Sequence, residues 1–391
     1  MHDYKKRLDT MKIKMEENSI DIAILQFYVD IYYFSGSNQL STLIIPLKSN
    51  PVFFVQVGLD IAREESWIED IRRMDGMGSL RELFADRNIG AVTIGINEDT
   101  VPVPLYKKYL ESFPQANFVN ISPIIQDIRL IKTDYEVSLI EKSAEVSLQA
   151  HKKVPEVLIE GKTELALSSE IEYVLRKNGH VGCMFSRRGG YAMHSGVIGP
   201  SGPNLGVISG SGAITNTGKG LNSAMPIGAS LRKINHGDMV EIDIGVNIEG
   251  YHSDEARMYV LGKADERQKR AFDAVYSAYQ AALKIIAPGV KGKEVYFAAR
   301  RAIEKAGYLE YFAGFSRYPR YNFLGHGIGL EINESPLINS HDETIFKKNM
   351  TIAIEPKVIA PHWGVTFEDT ILVTEKGCRL LTKSQRDLIV V

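Results

Sequence analysis

Residues 240–258 place the strongest constraint on the fold, because two strand-like runs flank a short turn and predict a β-hairpin. We expect the turn at residues 247–250. In the first run apolar residues alternate with Glu241 and Asp243, so the Asp243 side chain points away from the apolar face. On the returning run Asp254 can face the same side as Asp243. The hairpin therefore brings two carboxylates toward one pocket.

Three further candidate ligands follow along the chain: His326 in GHGIGLEINE, Glu355 in IAIEP and Glu368 in GVTFEDT. Taken singly, an acid or a histidine is more often a solvated or hydrogen-bonded residue than a ligand. Glu355 and Glu368, however, lie inside strand-like runs, where an unpaired acid is unfavourable. Together with the two hairpin aspartates they predict a metal site.

The charge of this set predicts two metal ions. Four carboxylates and a neutral imidazole carry about four negative charges, which cannot be buried close together without cations. A set rich in oxygen, with one nitrogen and no thiolate, suits Mn²⁺ or Co²⁺, with Fe²⁺ and Zn²⁺ as alternatives. A water shared by two such ions attacks as hydroxide near neutral pH, so hydrolysis is the expected reaction class.

In these motifs the chain resembles the creatinase, aminopeptidase P, prolidase and methionine aminopeptidase group, which has the "pita-bread" fold. The metal ligands of that family occur in the order Asp, Asp, His, Glu, Glu, and the matching positions here are Asp243, Asp254, His326, Glu355 and Glu368. The sequence VDIYYFSGSNQLSTLIIPLKSNPVFFVQ is similar to the N-terminal domain of creatinase and prolidase, which methionine aminopeptidases lack. The resemblance extends over nearly the whole chain.

The resemblance implies an α/β (α+β) fold with a creatinase/prolidase-type domain at residues 1–130 and a pita-bread catalytic domain at residues 131–391. Local patterns agree with it. In the first part the runs IDIAILQ, STLIIPL and PVFFVQV predict strands, and SLRELFADRN predicts a helix. In the second part four helices are expected: from a Thr133–Glu136 capping box to about His151, over residues 163–179, from Asp265 to near Pro288, and over residues 293–306.

The chain departs from the family at positions that contact substrate. Peptidases of the group usually carry three accessory histidines, and the aligned positions here hold Ile227, Asn322 and Asn333. Thr366 stands where aminopeptidase P and prolidase often have arginine. Asparagine can donate a hydrogen bond to an oxyanion, but it cannot exchange a proton near neutral pH as imidazole can. Three other histidines are candidates to compensate from another direction: His194, His236 and His252.

The resemblance also implies roles for three residues. Glu355 is the family-like choice for a metal-bound carboxylate that carries the proton, and Asn333 is a candidate donor to the tetrahedral intermediate. Arg257, in the family's D-x-x-R run, could orient a ligand carboxylate. The expected reaction is cleavage of the Xaa-Pro peptide bond by a metal-bridged hydroxide, as in Xaa-Pro dipeptidase and aminopeptidase P.

Two other functions remain open at this stage. The first is C–N hydrolysis of a small non-peptide substrate, as in creatinase or ectoine hydrolase, and the replaced accessory histidines motivate it. The second is a non-enzymatic binding module that keeps the fold. The intact ligand set argues against the binding module, because a site that no longer binds metal has no physical need for four buried acids.

Composition restricts the partners. The 391 residues are 44% hydrophobic and 24% charged, as in an ordinary globular protein, and the formal net charge of −2 gives no electrostatic basis for nucleic-acid or membrane binding. A small molecule or a peptide is the expected partner. Two cysteines, Cys183 and Cys378, and the lack of a signal-type apolar run predict a cytoplasmic protein. The family resemblance implies a homodimer.

A glycine-rich segment at residues 198–220 does not match a phosphate-binding loop. Gly220 stands where the Walker pattern requires Ser or Thr after Lys219. We expect this segment to line the substrate pocket, with an ordinary surface loop as the alternative.

Overall fold

The computed structural model describes residues 3–86, 92–187, 196–209, 217–314 and 322–391. Within these ranges the chain divides into two compact units. The first unit holds the residues up to Arg129 together with Arg187, and the second unit holds the rest. The break between Arg129 and Leu130 lies next to the expected division at residue 130. The division into domains at residues 1–130 and 131–391 stays a prediction.

The first unit is built on a mixed sheet. Its strands are β1 (Ile22–Leu25), β2 (Ser41–Pro46), β3 (Val52–Val55), β4 (Ile71–Arg73), β5 (Thr93–Ile96) and β6 (Asn117–Asn120). Their order across the sheet is β4-β3-β2-β1-β5-β6. The central neighbours β1, β2 and β3 are antiparallel, whereas the outer pairs are parallel. The three predicted strands are confirmed as β1, β2 and β3.

Helices pack against this sheet. They are α1 (Tyr4–Glu17), α2 (Tyr28–Ser35), α3 (Leu59–Glu65), α4 (Met77–Asp86), α5 (Val103–Ser112) and α6 (Ser122–Arg129). Helix α4 confirms the helix predicted from SLRELFADRN. Leu80 and Leu83 of α4 and Tyr109 of α5 pack with apolar side chains of β1, β3 and β5 in one core. The amphipathic pattern of these helices therefore fixes which of their faces meets the sheet.

A buried ion cluster ties several parts of the first unit together. The fully buried Asp30 accepts hydrogen bonds from Arg187 at 2.8 Å, Arg129 at 2.9 Å and Asn97 at 3.0 Å. A buried carboxylate needs such partners to offset its lost hydration. This contact explains why Arg187 groups with the first unit although Ser186, directly before it, belongs to the second.

The helices of the second unit are α7 (Asp134–Val157), α8 (Glu164–Lys177), α9 (Glu266–Ile285) and α10 (Gly292–Lys305), with 3₁₀ turns at Gly202–Gly206 and Leu309–Tyr311. The four predicted helices are confirmed. In the capping box of α7 the Glu136 N–H donates to the Thr133 hydroxyl at 3.3 Å, and the Thr133 N–H donates to the Glu136 carboxylate at 2.7 Å. Helix α7 continues past the predicted end at His151, because Val154 and Val157 are buried in the core.

The strands of the second unit are β7 (Val197–Ile198), β8 (Met239–Ile248), β9 (Tyr251–Val260), β10 (Gly325–Gly327), β11 (Glu334–Ile338), β12 (Thr351–Ile354), β13 (Lys357–Ala360), β14 (Trp363–Thr366), β15 (Asp369–Val373), β16 (Cys378–Leu380) and β17 (Ile389–Val390). One sheet has the order β17-β9-β8-β7, and a second has the order β11-β10-β12-β15-β16. Strands β13 and β14 form a separate hairpin. The ligand candidates lie on both sheets.

Strands β8 and β9 form the predicted hairpin with a shorter turn than expected. Ile248 pairs with Tyr251, so Glu249 and Gly250 alone make the turn. Both have positive φ angles, 51° and 88°. This is the backbone of a type I′ turn, whose twist matches that of the flanking strands. The predicted turn therefore extended too far into β8.

The two faces of β8 have different surroundings. Val240, Ile242 and Ile244 pack against α7 and α8 in one apolar core. Helices α9 and α10 cover a second core with parts of β9, β12 and β15. Glu241 and Asp243 alternate with the apolar residues and so face away from α7 and α8. The predicted alternation along β8 is confirmed.

The cap of α9 gives a stability prediction. Asp265 accepts a hydrogen bond from the Gln268 N–H at 2.7 Å, and the Gln268 side chain accepts one from the Asp265 N–H at 2.8 Å. Asp265→Ala removes the first of these bonds and lowers the free energy of unfolding by about 1 kcal/mol, measured by urea denaturation. Asp273→Ala, at an exposed position within α9, is the control without loss. Equal effects of the two substitutions would contradict the capping role.

Candidate metal centre

The hairpin sets Asp243 and Asp254 on one face. Asp243 pairs with Ala256, and Asp254 pairs with Gly245. The two aspartates therefore lie diagonally across the ladder with their side chains on the same side. A hydrogen bond joins their carboxyl groups.

The second sheet contributes His326, Glu355 and Glu368. His326 lies in β10, Glu355 directly follows β12, and Glu368 directly precedes β15. Ile354 pairs with Asp369, so the two glutamates leave adjacent strands at the same end. Strand β10 pairs with β12 on its other side. The imidazole and the two carboxylates are therefore neighbours.

The His326 imidazole lies among the carboxylates. Its Nε2 is 3.4 Å from Glu355 Oε1, 3.8 Å from Asp254 Oδ2 and 3.9 Å from Glu368 Oε1. Its Nδ1 donates to the Gly327 carbonyl oxygen at 2.9 Å. Because a carbonyl oxygen can only accept, Nδ1 carries a proton, and Nε2 is the ring nitrogen that faces the three acids.

Hydrogen bonds to main-chain groups join the two sheets at the ligand positions. The Glu368 N–H donates to the Ala256 carbonyl oxygen at 3.2 Å. The buried Thr370 hydroxyl accepts from the Asp254 N–H at 2.9 Å and donates to the Asp254 carbonyl oxygen at 2.8 Å. The hairpin is thus held against the second sheet by one backbone hydrogen bond and by two hydrogen bonds of the Thr370 hydroxyl.

The donor set fits a divalent cation. One ligand atom each from Asp254, His326 and Glu368 lie within 4.8 Å of one another. Within the described ranges the buried Oε1 of Glu368 has no hydrogen-bond partner. Burial, followed by the charges of the neighbouring carboxylates, raises the pKa of Asp254 and of Glu368 well above the ordinary values. Burial also raises the pKa of Asp243 to about 6. A bound cation would relieve this repulsion.

Two buried charged residues beside the ligands had no role assigned from the sequence. Lys357 Nζ lies 2.7 Å from Glu355 Oε2. Burial alone would raise the pKa of Glu355, but Lys357 and then His326 outweigh burial and lower that pKa to about 2. Burial raises the pKa of Glu241 to about 7, and Lys357 offsets part of the rise. The Thr217 hydroxyl donates to Glu241 at 3.1 Å.

Strand alternation could have identified Glu241. Residues two apart in an extended strand share a face. This rule puts Glu241 on the side of Asp243, as the sequence predicted, but it does not extend to Lys357, because Glu355 and Pro356 lie between β12 and β13. Neither residue matches a ligand position of the resembled family, so the resemblance gave no indication of them.

Arg257 is fully buried and contacts the main chain of one ligand candidate. It donates to the Glu368 carbonyl oxygen at 2.6 Å. It also donates to the carboxylates of Asp369 at 2.6 Å and Glu255 at 2.7 Å. Asp369 accepts a further bond from Arg386 at 3.0 Å. Arg257 therefore reaches the backbone of Glu368 rather than a ligand carboxylate, and its orienting effect is indirect.

The positions aligned with the accessory histidines have varied surroundings. Ile227 is buried, whereas Asn322 and Asn333 are exposed. Asn322 donates to the Ser340 hydroxyl and accepts from the Ser340 N–H at 3.0 Å. In the part of the chain that is described, no hydrogen bond joins any of the three to a ligand candidate. The oxyanion role of Asn333 stays a prediction.

The histidines considered as substitutes differ in their placement. His194 lies outside the described residues. His252 is fully buried, and its Nε2 accepts from the Phe185 N–H at 3.1 Å while its Nδ1 lies 3.0 Å from the Gly329 carbonyl oxygen. His236 is exposed. His252 therefore serves to connect chain segments.

The glycine-rich segment 198–220 is described except for residues 210–216. The Gly218 N–H donates to the Val207 carbonyl oxygen at 2.9 Å. The Thr217 bond to Glu241 brings the end of this segment beside the acidic residues. That contact supports a role in lining the pocket, which stays a prediction.

The raised pKa of Asp243 predicts the behaviour of the metal-free protein. An acid with a folded-state pKa above its ordinary 3.8 favours folding at low pH, and this contribution is lost as the pH rises through about 6. Asp243→Asn removes the resulting penalty. In EDTA at about pH 8 the variant therefore unfolds at a higher temperature than the unsubstituted protein in calorimetry.

In EDTA the difference in unfolding temperature between Asp243→Asn and the unsubstituted protein shrinks as the pH falls through about 6 and disappears below 3.8. Asp273→Asn, at an exposed position, shows no such trend. With Mn²⁺ present the order reverses, because an amide is a poorer ligand than a carboxylate. A variant less stable than the parent in EDTA at every pH would refute this account of Asp243.

Comparison with known proteins identifies the family. Residues 138–375 match the sequence model of metallopeptidase family M24, and residues 7–131 match the creatinase/prolidase N-terminal domain. A Xaa-Pro dipeptidase of Pyrococcus furiosus is 32% identical over 98% of this chain and 100% of its own length. The M24 match and the alignment with the Pyrococcus furiosus protein both extend through the segments that carry the ligand candidates.

Solved structures agree with the sequence comparison. The prolidase from Pyrococcus horikoshii OT3 has a TM-score of 0.82 and 29% identity, covering 98% of this chain and all of its own. A Xaa-Pro dipeptidase from Bacillus anthracis has a TM-score of 0.85 and 25% identity, covering 99% of this chain and all of its own. The chain thus belongs to metallopeptidase family M24, with a creatinase/prolidase N-terminal domain and a pita-bread catalytic domain, and is a hydrolase.

Proposed function

We propose that this chain is a dinuclear metal-dependent hydrolase that cleaves the peptide bond before proline in Xaa-Pro substrates. The observation that supports a metal site is the convergence of Asp254, His326 and Glu368, whose ligand atoms lie within 4.8 Å. Asp243 and Glu355 contact members of this group. The Xaa-Pro dipeptidase of Pyrococcus furiosus matches over its whole length, which supports a dipeptide substrate.

In this proposal five side chains hold the ions: Asp243, Asp254, His326, Glu355 and Glu368. Two divalent ions balance the four carboxylates, which together carry about four negative charges. The oxygen-rich set suits Mn²⁺ or Co²⁺, and Fe²⁺ and Zn²⁺ also fit it. Divalent ions lower the pKa of a bound water and polarise a carbonyl, which is the chemistry that amide hydrolysis needs.

The protein contributes orientation and a proton carrier. Glu355 is the proposed carrier. The charge of Lys357 and then the contact with His326 outweigh burial and hold its pKa at about 2, so Glu355 accepts a proton near neutral pH only when these contacts are weakened. Arg257 holds the main chain of Glu368, and Asn333 is the proposed donor to the tetrahedral intermediate.

A second candidate is C–N hydrolysis of a small non-peptide substrate of the creatinase or ectoine-hydrolase type. The observation that favours it is the set of side chains at the three accessory-histidine positions. Ile227 offers no polar group, and the exposed Asn322 bonds to Ser340. Asn333 can donate a hydrogen bond but cannot exchange a proton near neutral pH. Such a site has fewer means to assist departure of a peptide amine.

Proline release from Xaa-Pro dipeptides and longer Xaa-Pro peptides tests the proposal. The protein is reconstituted with Mn²⁺ or Co²⁺. We expect turnover that Asp243→Ala lowers by more than about 100-fold, since even changes to residues behind metal ligands cost 10-fold to 100-fold. Asp273→Ala, which changes an exposed acid of the same unit, retains the parent activity.

Absence of proline release distinguishes the Xaa-Pro peptidase from the C–N hydrolase. Stoichiometric metal without proline release would contradict peptidase activity. A screen of cyclic amides and guanidino compounds then tests the second candidate. Proline release together with no turnover in that screen would eliminate the second candidate.

Assembly and location also belong to the proposal. The family resemblance supports a homodimer, which light scattering of the purified protein tests. No helix within the described ranges is long and apolar enough to cross a bilayer. Cys183 and Cys378 form no disulfide, and the cytoplasm stays the predicted location.

A further inference from the structure

Lys357 is a buried cation inside the acidic cluster of the candidate metal centre. Its side chain is 7% exposed, and its Nζ lies 2.7 Å from Glu355 Oε2. Three further acids act on it electrostatically: Glu241, Asp243 and Glu368. An ammonium group cannot act as a metal ligand, because it has no lone pair while charged. Lys357 therefore neutralises acids that a metal ion would otherwise neutralise.

The hairpin of β13 and β14 holds Lys357 in this position. Lys357 is the first residue of β13 and pairs directly with Thr366 of β14. Directly paired residues present their side chains on the same face. Both residues are buried, and Thr366 is only two residues from the ligand candidate Glu368. The main chain of Lys357 is fixed as well, because its carbonyl oxygen accepts from the Ala313 N–H at 2.9 Å.

We propose that Lys357 is a built-in competitor of the metal, which stabilises the metal-free site and weakens metal binding. The inference rests on the proposed metal site. Without metal, the ammonium charge reduces repulsion among the buried acids. With metal, the same charge lies close to the bound cation and repels it. Removing the charge therefore has opposite effects on the stability of the metal-free protein and on metal affinity.

Glu241 is the acid that balances Lys357. It is buried on the Asp243 side of β8, and Lys357 acts on it electrostatically. The four ligand carboxylates already carry the charge that two divalent ions match. Glu241, when ionised, adds one negative charge to them, and Lys357 adds one positive charge. Removing both residues' charges at once should therefore restore the metal affinity.

The ammonium group is directed to a ligand candidate rather than to solvent. Its bond with Glu355 takes one of the three donors of Nζ, and little of the side chain is exposed. A lysine that binds substrate would instead affect KM without changing the affinity for metal. The Kd for Mn²⁺ and the KM for substrate together distinguish these two roles.

Titration calorimetry of the metal-free protein with Mn²⁺ tests the inference. Lys357→Met lowers the Kd for Mn²⁺ by at least about tenfold, since one close charge interaction exceeds the energy equivalent to a factor of ten. In EDTA the variant unfolds at a lower temperature than the parent protein. Addition of Mn²⁺ consequently raises the unfolding temperature more in the variant than in the parent.

Lys132→Met is the matched control. Lys132 is also buried, and its Nζ lies 3.0 Å from the carboxylate of Glu334, outside the acidic cluster. This substitution lowers the unfolding temperature by the same amount with and without Mn²⁺ and leaves the Kd unchanged. The control therefore distinguishes the effect of losing a buried ion pair from the effect of losing a charge beside the metal.

Two further variants keep the test decisive. Glu241→Gln combined with Lys357→Met returns the Kd to within about threefold of the parent, because the net charge is restored. Lys357→Gln retains a hydrogen-bond donor to Glu355 and removes the charge. It tightens Mn²⁺ binding even where Lys357→Met does not fold in EDTA.

Three outcomes oppose the inference. Weaker Mn²⁺ binding by both Lys357 variants would mean that the lysine holds Glu355 for the metal, and would overturn it. An unchanged Kd would do the same and, together with a raised KM, would point to substrate binding. Failure of the parent protein itself to bind Mn²⁺ would remove the proposed function and the inference together, a result distinct from the first two.

Discussion

Repulsion among buried carboxylates is the constraint on which the catalytic unit depends. Asp243, Asp254, Glu355 and Glu368 come from two sheets and meet around one imidazole. Burial and mutual charge raise the pKa of three of them, whereas Glu355 is held ionised by Lys357 and His326. Such a group is stable only with cations close by. The structure supplies one from its own chain, and the proposed ions supply the others.

The surrounding structure keeps these acids in place against their repulsion. Glu368 lies between Phe367, which is buried in the core with α9, and Asp369, which is bound by Arg257. The Arg257 guanidinium also lies 4.6 Å from the centre of the Phe367 ring. Both neighbours of Glu368 are therefore fixed, one by packing and one by ion pairing. Two hydrogen bonds between the Thr370 hydroxyl and the main chain of Asp254 hold the hairpin against the second sheet.

Local sequence patterns predicted much of this arrangement. Alternation along β8 predicted the face of Asp243, and the capping box at Thr133 and the cap residue Asp265 predicted where α7 and α9 begin. These features depend on neighbouring residues alone. The end of α7 was predicted too early, because burial of Val157 in the tertiary core extends the helix. The short turn of the hairpin was missed because Glu249 adopts a positive φ, which its residue type does not indicate.

Contacts between segments that are distant in the chain could not be predicted from the sequence. Lys357 is recognisable as part of the centre only once its Nζ is seen beside Glu355, and Arg257 as a support for Glu368 only once β9 meets β15. The metal content of the protein tests most directly the central claim that the buried acids hold two metal ions. After dialysis against Mn²⁺, elemental analysis should find about two ions per chain, as four buried carboxylates require. Asp243→Ala should lose at least one of them. A parent protein that retains less than about one ion per chain would contradict the account.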